Sequence, residues 1–155
     1  MSIARVFIKN FRLFRELDLD LNKENLLIIG PNGSGKTSVL EAINLLISRK
    51  SIRTRDLKEC INDDSEGFSL GLEIKNKQEV LTIKAAKQTN KRITIKTEAG
   101  NTTVKKENLP IVQFIQAKDL RMIEGETELR RDFLIKPCFT WNILQKLPIK
   151  IIRKH

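Results

Sequence analysis

The residues best suited to chemistry are Gly30-Pro31-Asn32-Gly33-Ser34-Gly35-Lys36-Thr37, which match the phosphate-loop pattern GxxxxGK[ST] at each fixed position. Each position has a task. Glycines let the backbone curl until successive N–H groups point inward at phosphate oxygens. A helix that starts at the end of the loop adds free N–H donors and a partial positive charge. Lys36 would set an ammonium beside the β- and γ-phosphates, and the Thr37 hydroxyl suits a Mg²⁺ ion that bridges to phosphate. Gly30 to Thr37, with Ser38 next in the chain, are therefore the candidate ATP and Mg²⁺ site, Thr37 being the metal-side residue.

Such a loop works only between two elements, and the flanking sequence predicts both. Before it, Glu24–Ile29 ends in Leu26-Leu27-Ile28-Ile29, a continuous apolar run expected of a buried strand. After it, Val39, Leu40, Ile43, Leu46 and Ile47 recur at helical spacing. Elsewhere, Ile3–Lys9 reads as a strand, and Leu17-Asp18-Leu19-Asp20-Leu21 alternates strictly, as a half-buried strand does. Arg49–Lys58 reads as a loop with a short helix. Phe68–Lys75, Val80–Lys84 and Arg92–Thr97 alternate too, and Ala99-Gly100-Asn101 supplies a turn before a short strand near Thr102–Lys105. Ile111–Ile115 reads as a strand and Glu126–Leu134 as a helix. The expected fold is α/β (α+β): a mixed sheet with an antiparallel meander, few helices, and the phosphate loop between strand and helix.

Composition narrows the chemistry further. The chain has 155 residues, about one domain, with 40% hydrophobic and 31% charged residues, a globular balance. No apolar run approaches the length of a membrane span, and the N-terminus carries no signal-peptide pattern, so a cytoplasmic location is expected. Cys60 and Cys138 lie in no metal-binding spacing and read as reduced, packed thiols; the lone His155 is terminal, which argues against zinc and against a histidine-based triad. Hydrolysis by a phosphate-loop protein also needs a carboxylate at the end of a second core strand. No apolar run of four or more ends in Asp-Asp or Asp-Glu, and Asp63-Asp64 follows Ile61-Asn62. No catalytic residue is assigned, and the chain alone is expected to bind ATP without turning it over efficiently.

Gly30–Ile43, from the loop through Val39, Leu40, Glu41 and Ala42, resembles the RecF and SMC group of ABC-type ATPases. Three other segments narrow the likeness to the RecF family: Ile8-Lys9-Asn10-Phe11-Arg12, Ser48-Arg49-Lys50-Ser51-Ile52-Arg53-Thr54, and Ala117-Lys118-Asp119-Leu120 followed by Glu124-Gly125 and Arg130-Arg131-Asp132-Phe133-Leu134. The resemblance covers about residues 1–134, and two domains follow from it: a RecF-like ATP-binding lobe over 1–134, an incomplete ATPase head, and a divergent basic tail over 135–155. Ala117 and Lys118 depart from the family's proline and acid, and Ile135-Lys136-Pro137 departs from its continuing helix. The family's second carboxylate and its signature motif would lie beyond that point, so the chain looks like the N-terminal part of a RecF, truncated.

The resemblance implies an ATP-binding DNA replication and repair protein. It would dimerise around ATP, bind single-stranded or gapped DNA in recombinational repair and the SOS response, and work with RecO and RecR. By the same analogy Arg12 would lie near the nucleotide. The charge of +10 and pI of about 9.8 also suit a polyanionic partner. Between Lys84 and Lys106 the sequence has seven Lys/Arg (Lys84, Lys87, Lys91, Arg92, Lys96, Lys105, Lys106) against Glu98. Lys91, Arg92 and Lys96 are the candidate contacts to backbone phosphates, and a solvated surface is the plain alternative. Arg49, Lys50, Arg53 and Arg55 form a second basic patch. Phe68, Phe114 and Phe133 read as core. Two rival functions stand beside the RecF reading: a small phosphate-loop phosphotransferase with an arginine lid, and a truncated lobe without function.

Overall fold

In a computed structural model the chain is described for residues 2–21, 26–75, 79–100, 102–103 and 109. All of these belong to one compact unit, Met1–Val112. Its frame is a six-stranded sheet in the order β2-β1-β3-β4-β5-β6, with every described pairing antiparallel. The strands are β1 (Ser2–Phe11), β2 (Phe14–Asp20), β3 (Gly67–Lys75), β4 (Val80–Gln88), β5 (Thr94–Ala99) and β6 (Thr102–Thr103); one helix, α1 (Lys36–Ser48), and a short 3-10 turn, Leu57–Cys60, complete it.

The period-two alternation in the sequence determines which face is buried. Val6 and Ile8 of β1, Leu70 and Leu72 of β3, and Ile83 and Ala85 of β4 point to one side and meet Val39, Ala42, Ile43 and Leu46 of α1. Each Val, Leu or Ile among them, fully buried, contributes on the order of 1.5–3 kcal/mol. Phe11 and Phe68 close the end of this layer edge to face, with ring centroids 5.1 Å apart. The other sheet face carries the alternate residues, Arg5, Phe7, Gly71, Lys84 and Lys96 among them.

The expected meander is present: β3 and β4 run longer than the alternation suggested, and β5 starts two residues later than expected, with Arg92 in the preceding turn. Lys87 is the exception to the pattern. It occupies an inward position, is buried, and its ammonium donates to the carbonyls of Gln88, Thr89 and Lys91. It thus satisfies the β4–β5 turn instead of adding to a basic surface.

The strand expected before the loop is not found. Residues 26–30 pair with no described strand, and Leu27 and Ile29 are 81% and 82% exposed. An apolar run becomes a buried strand only where sheet neighbours flank it, and no described strand runs alongside this one. Glu24, Asn25, Ile111–Ile115, Phe114, Glu126–Leu134, Phe133, Cys138 and the proposed boundary at 134 lie outside the described residues. Among the described residues no helix is long and apolar enough to cross a membrane.

Candidate functional site

The loop closes because two of its glycines take backbone angles that side chains resist. Gly33 has φ +84° and Gly35 φ +90°, and between them Ser34 N–H bonds the Pro31 carbonyl at 3.3 Å. Helix α1 begins at Lys36 with Gly35 as its N-cap. No side chain caps this end, and its first turn holds no acid. The amides of Ser38 and Val39 are used by the Gly35 carbonyl. Those of Asn32, Gly33, Gly35, Lys36 and Thr37 have no backbone acceptor among the described residues.

Lys36 folds back across the loop. Its Nζ donates to the carbonyls of Gly30 at 2.7 Å and Pro31 at 2.6 Å. The ammonium is therefore held on the same turn as the free amides. Thr37 is exposed, and its hydroxyl has no partner among the described residues, whereas Ser38 is buried. Five amides, one ammonium and one hydroxyl, with an uncapped helix start behind them, form a donor set for an anion of several phosphates. Among the described residues no group of three His, Cys, Asp or Glu could hold a metal by itself. A Mg²⁺ ion would arrive with the phosphates, with the Thr37 hydroxyl as its protein ligand.

The loop is backed by the turn between β1 and β2. A Cβ on Gly35 would lie 2.5 Å from the Phe14 ring and 2.8 Å from the Leu13 methyl. That turn also carries Arg12, which sits in the left-handed region at φ 53°. Its guanidinium grips Glu41 of α1 through two bonds, Nε to Oε2 at 3.1 Å and NH2 to Oε1 at 2.8 Å, and its NH1 donates to the Glu59 carbonyl at 2.7 Å. Ser51 Oγ donates to the same carboxylate at 2.5 Å, and the Cys60 thiol lies against it at 3.9 Å. Arg12 N–H bonds the Cys60 carbonyl and Asn62 Nδ2 bonds the Arg12 carbonyl, so the turn is fixed on all sides.

Glu41 is fully buried. Burial pushes its carboxyl up, but the hydrogen bonds from Arg12 and Ser51 outweigh that and hold it below its ordinary 4.5. The Arg12 guanidinium, bonded to Glu41, is raised. Burial pushes the Cys60 thiol up to about 11, which keeps it protonated and inert. A carboxyl depressed on folding adds stability that is present above its unfolded value and is lost as pH falls through the folded one. Glu41→Gln is therefore expected to lose about 1.5 kcal/mol of stability above pH 5. It should also flatten the loss of stability below pH 4.5. Urea unfolding across pH 3 to 7 reads both; an unchanged acid limb would show that Glu41 is not the group responsible.

Glu41, Ser51, Glu59 and Asn62 were not candidates from sequence. Glu41 left one signal, an acid on the apolar side of α1 beside Ala42 and Ile43. The other residues meet it only through tertiary contacts. Asp63-Asp64, weighed as a catalytic pair, lies in an exposed turn with Asp64 bonded to Arg15 at 2.7 Å. Arg49 caps the far end of α1, a helix of 13 residues and roughly 20 Å, so it cannot form a lid over the loop. Lys91 and Arg92 are exposed in the turn before β5, and Lys96 is exposed on β5.

A lysine-closed glycine loop opening the helix beneath an antiparallel sheet is the arrangement of the N-terminal lobe of a phosphate-loop ATPase domain. The chain belongs to the AAA ATPase domain family, whose sequence model matches residues 1–136. Among curated relatives it is 30% identical to the DNA replication and repair protein RecF of Salmonella arizonae and 29% identical to that of Klebsiella pneumoniae, in each case over 95% of this chain and 44% of the relative. Two solved structures share the fold: the recombination mediator protein RecF-ATP in the RecFOR pathway (TM-score 0.69, 24% identity, 93% of this chain and 42% of that one) and its RecF-ATPrS counterpart (TM-score 0.67, 22% identity, 93% and 41%). The likeness to the N-terminal part of RecF read from the sequence segments is borne out. The chain spans less than half the length of the relatives it matches.

Proposed function

We propose that this chain is the ATP-binding lobe of a RecF-type DNA replication and repair protein. In this reading Gly30–Thr37 hold the triphosphate, Lys36 neutralises its β- and γ-phosphates, and Thr37 faces its Mg²⁺. The observation that carries it is the loop and the uncapped start of α1, where five amides between Asn32 and Thr37 have no backbone acceptor among the described residues and the Lys36 ammonium folds back onto the same segment. ATP would set the state of the lobe, and DNA engagement would follow it without chemistry on the DNA. Single-stranded or gapped duplex DNA is the expected polyanion, RecO and RecR the expected partners, an ATP-dependent homodimer the expected assembly, and the cytoplasm the expected compartment, with a place in recombinational repair and the SOS response.

The surface offered to DNA is the side of the sheet away from α1. Lys84 of β4 and Lys96 of β5 are direct cross-strand partners there and flank a hollow of about 540 Å³ over Gly71. Like charges placed opposite each other repel, and a phosphate between them would relieve this. Arg92 and Lys91 are exposed in the turn that joins β4 to β5. Replacing Lys91, Arg92 and Lys96 with Gln is expected to weaken binding of gapped DNA several-fold and to lower the slope of log affinity against log salt by about 2. Fluorescence anisotropy at two salt concentrations, with and without Mg-ATP, measures this, and equal slopes for wild type and variant would remove these residues from the DNA surface.

A further inference from the structure

We infer that Arg12 and Glu41 work as one positioning pair, which shapes the phosphate loop from behind instead of touching the nucleotide. The inference rests on the ATP reading of the loop. Three segments meet at the buried Glu41 carboxylate: the β1–β2 turn through Arg12, α1 itself five residues after Lys36, and the segment just after α1 through Ser51. All three guanidinium nitrogens of Arg12 already donate, two to Glu41 and one to the Glu59 carbonyl. What Arg12 fixes is the turn whose next two residues, Leu13 and Phe14, press on Gly35. Gly35 is the N-cap of α1, and its amide is one of the free donors. The pair thus joins the first and second turns of the helix to the hairpin that backs the loop. If either partner is lost, the hairpin is released from the helix, and Gly35 is free to leave the backbone angle that sets the direction of its amide.

A residue that binds phosphate directly and a residue that positions the loop give different patterns. In the full chain, Arg12→Ala and Glu41→Gln are each expected to weaken ATP and ADP by the same factor, about tenfold, with the double variant no worse than either single one. The amide resonances of Gly33 and Gly35 in the nucleotide-free chain should shift alike in Arg12→Lys and Glu41→Gln. This second readout needs no ligand and only conservative changes. A loss confined to ATP in Arg12→Ala, with ADP and the Glu41→Gln variant unaffected, would mean direct contact with the terminal phosphate and would overturn the inference. Unmoved Gly33 and Gly35 resonances would overturn it as well. Absence of ATP binding by the wild-type chain would instead remove the function reading, and the resonances would still decide whether the pair shapes the loop.

Discussion

Lys36→Ala is expected to weaken ATP binding by about 100-fold or more while leaving the far-UV circular dichroism spectrum unchanged. The magnitude follows from two losses at once. The ammonium supplies the one mobile positive charge on the loop, and a charged hydrogen bond to phosphate is worth roughly 1.5–3 kcal/mol. It also holds the carbonyls of Gly30 and Pro31 together, which keeps the loop closed before any ligand arrives. Lys36→Met separates the two effects poorly, since neither bond survives. Lys36→Arg separates them better: the charge remains, but a planar fork cannot reach both carbonyls and a phosphate as a point ammonium does. The spectrum should hold because Lys36 lies at the first turn of α1 and contributes nothing to the apolar layer formed by Val39, Ala42, Ile43 and Leu46. Isothermal titration with Mg-ATP is the direct measurement. Near-wild-type affinity in Lys36→Ala would leave the loop as a turn that merely starts a helix.

What could be read from sequence, and what could not, divides along the range of the interactions. Alternation along Phe68–Lys75 and along Leu17–Leu21 reports a face, and a face is a local property, so β2 and β3 were legible. The helix after the loop was legible for the same reason. The loop itself was legible because its glycines and its lysine act on their own backbone. The run Leu26–Ile29 was misread, because burial of an apolar segment depends on which strands lie beside it, and that is not a local property. Lys87 was misread as surface charge because the three carbonyls that hold it belong to a turn that forms only once β4 and β5 pair. The Arg12–Glu41 pair spans 29 residues, and Glu41 to Ser51 spans ten across the end of a helix. Type and spacing could place Arg12 by resemblance, but only the folded chain shows what its guanidinium holds.

The second large effect is expected at Gly35. Gly35→Ala should weaken ATP binding by about 30-fold and lower stability by roughly 2 kcal/mol, from two causes that can be separated. The first is backbone strain. At φ +90° a residue with a Cβ loses on the order of 1–2 kcal/mol, and nothing in the surroundings can relieve it. The second is contact: the new methyl would fall 2.5 Å from the Phe14 ring and 2.8 Å from the end of Leu13. Those atoms are the tips of side chains, one of them exposed, so they can turn aside. Phe14→Ala in the Gly35→Ala background should therefore recover the steric part of the stability loss and leave the strained part. Nucleotide affinity should stay low in that double variant, because the strain that remains at residue 35 would still displace its amide from the donor set. The same reasoning sets Gly33 apart. Its φ is +84°, but a Cβ there meets nothing within 4 Å, so Gly33→Ala should show the strain alone. Thermal unfolding and Mg-ATP titration of the three variants test the partition. Equal affinities for Gly35→Ala and wild type would mean that the loop does not need its left-handed turn, and with that the Gly35 amide would lose its role in binding.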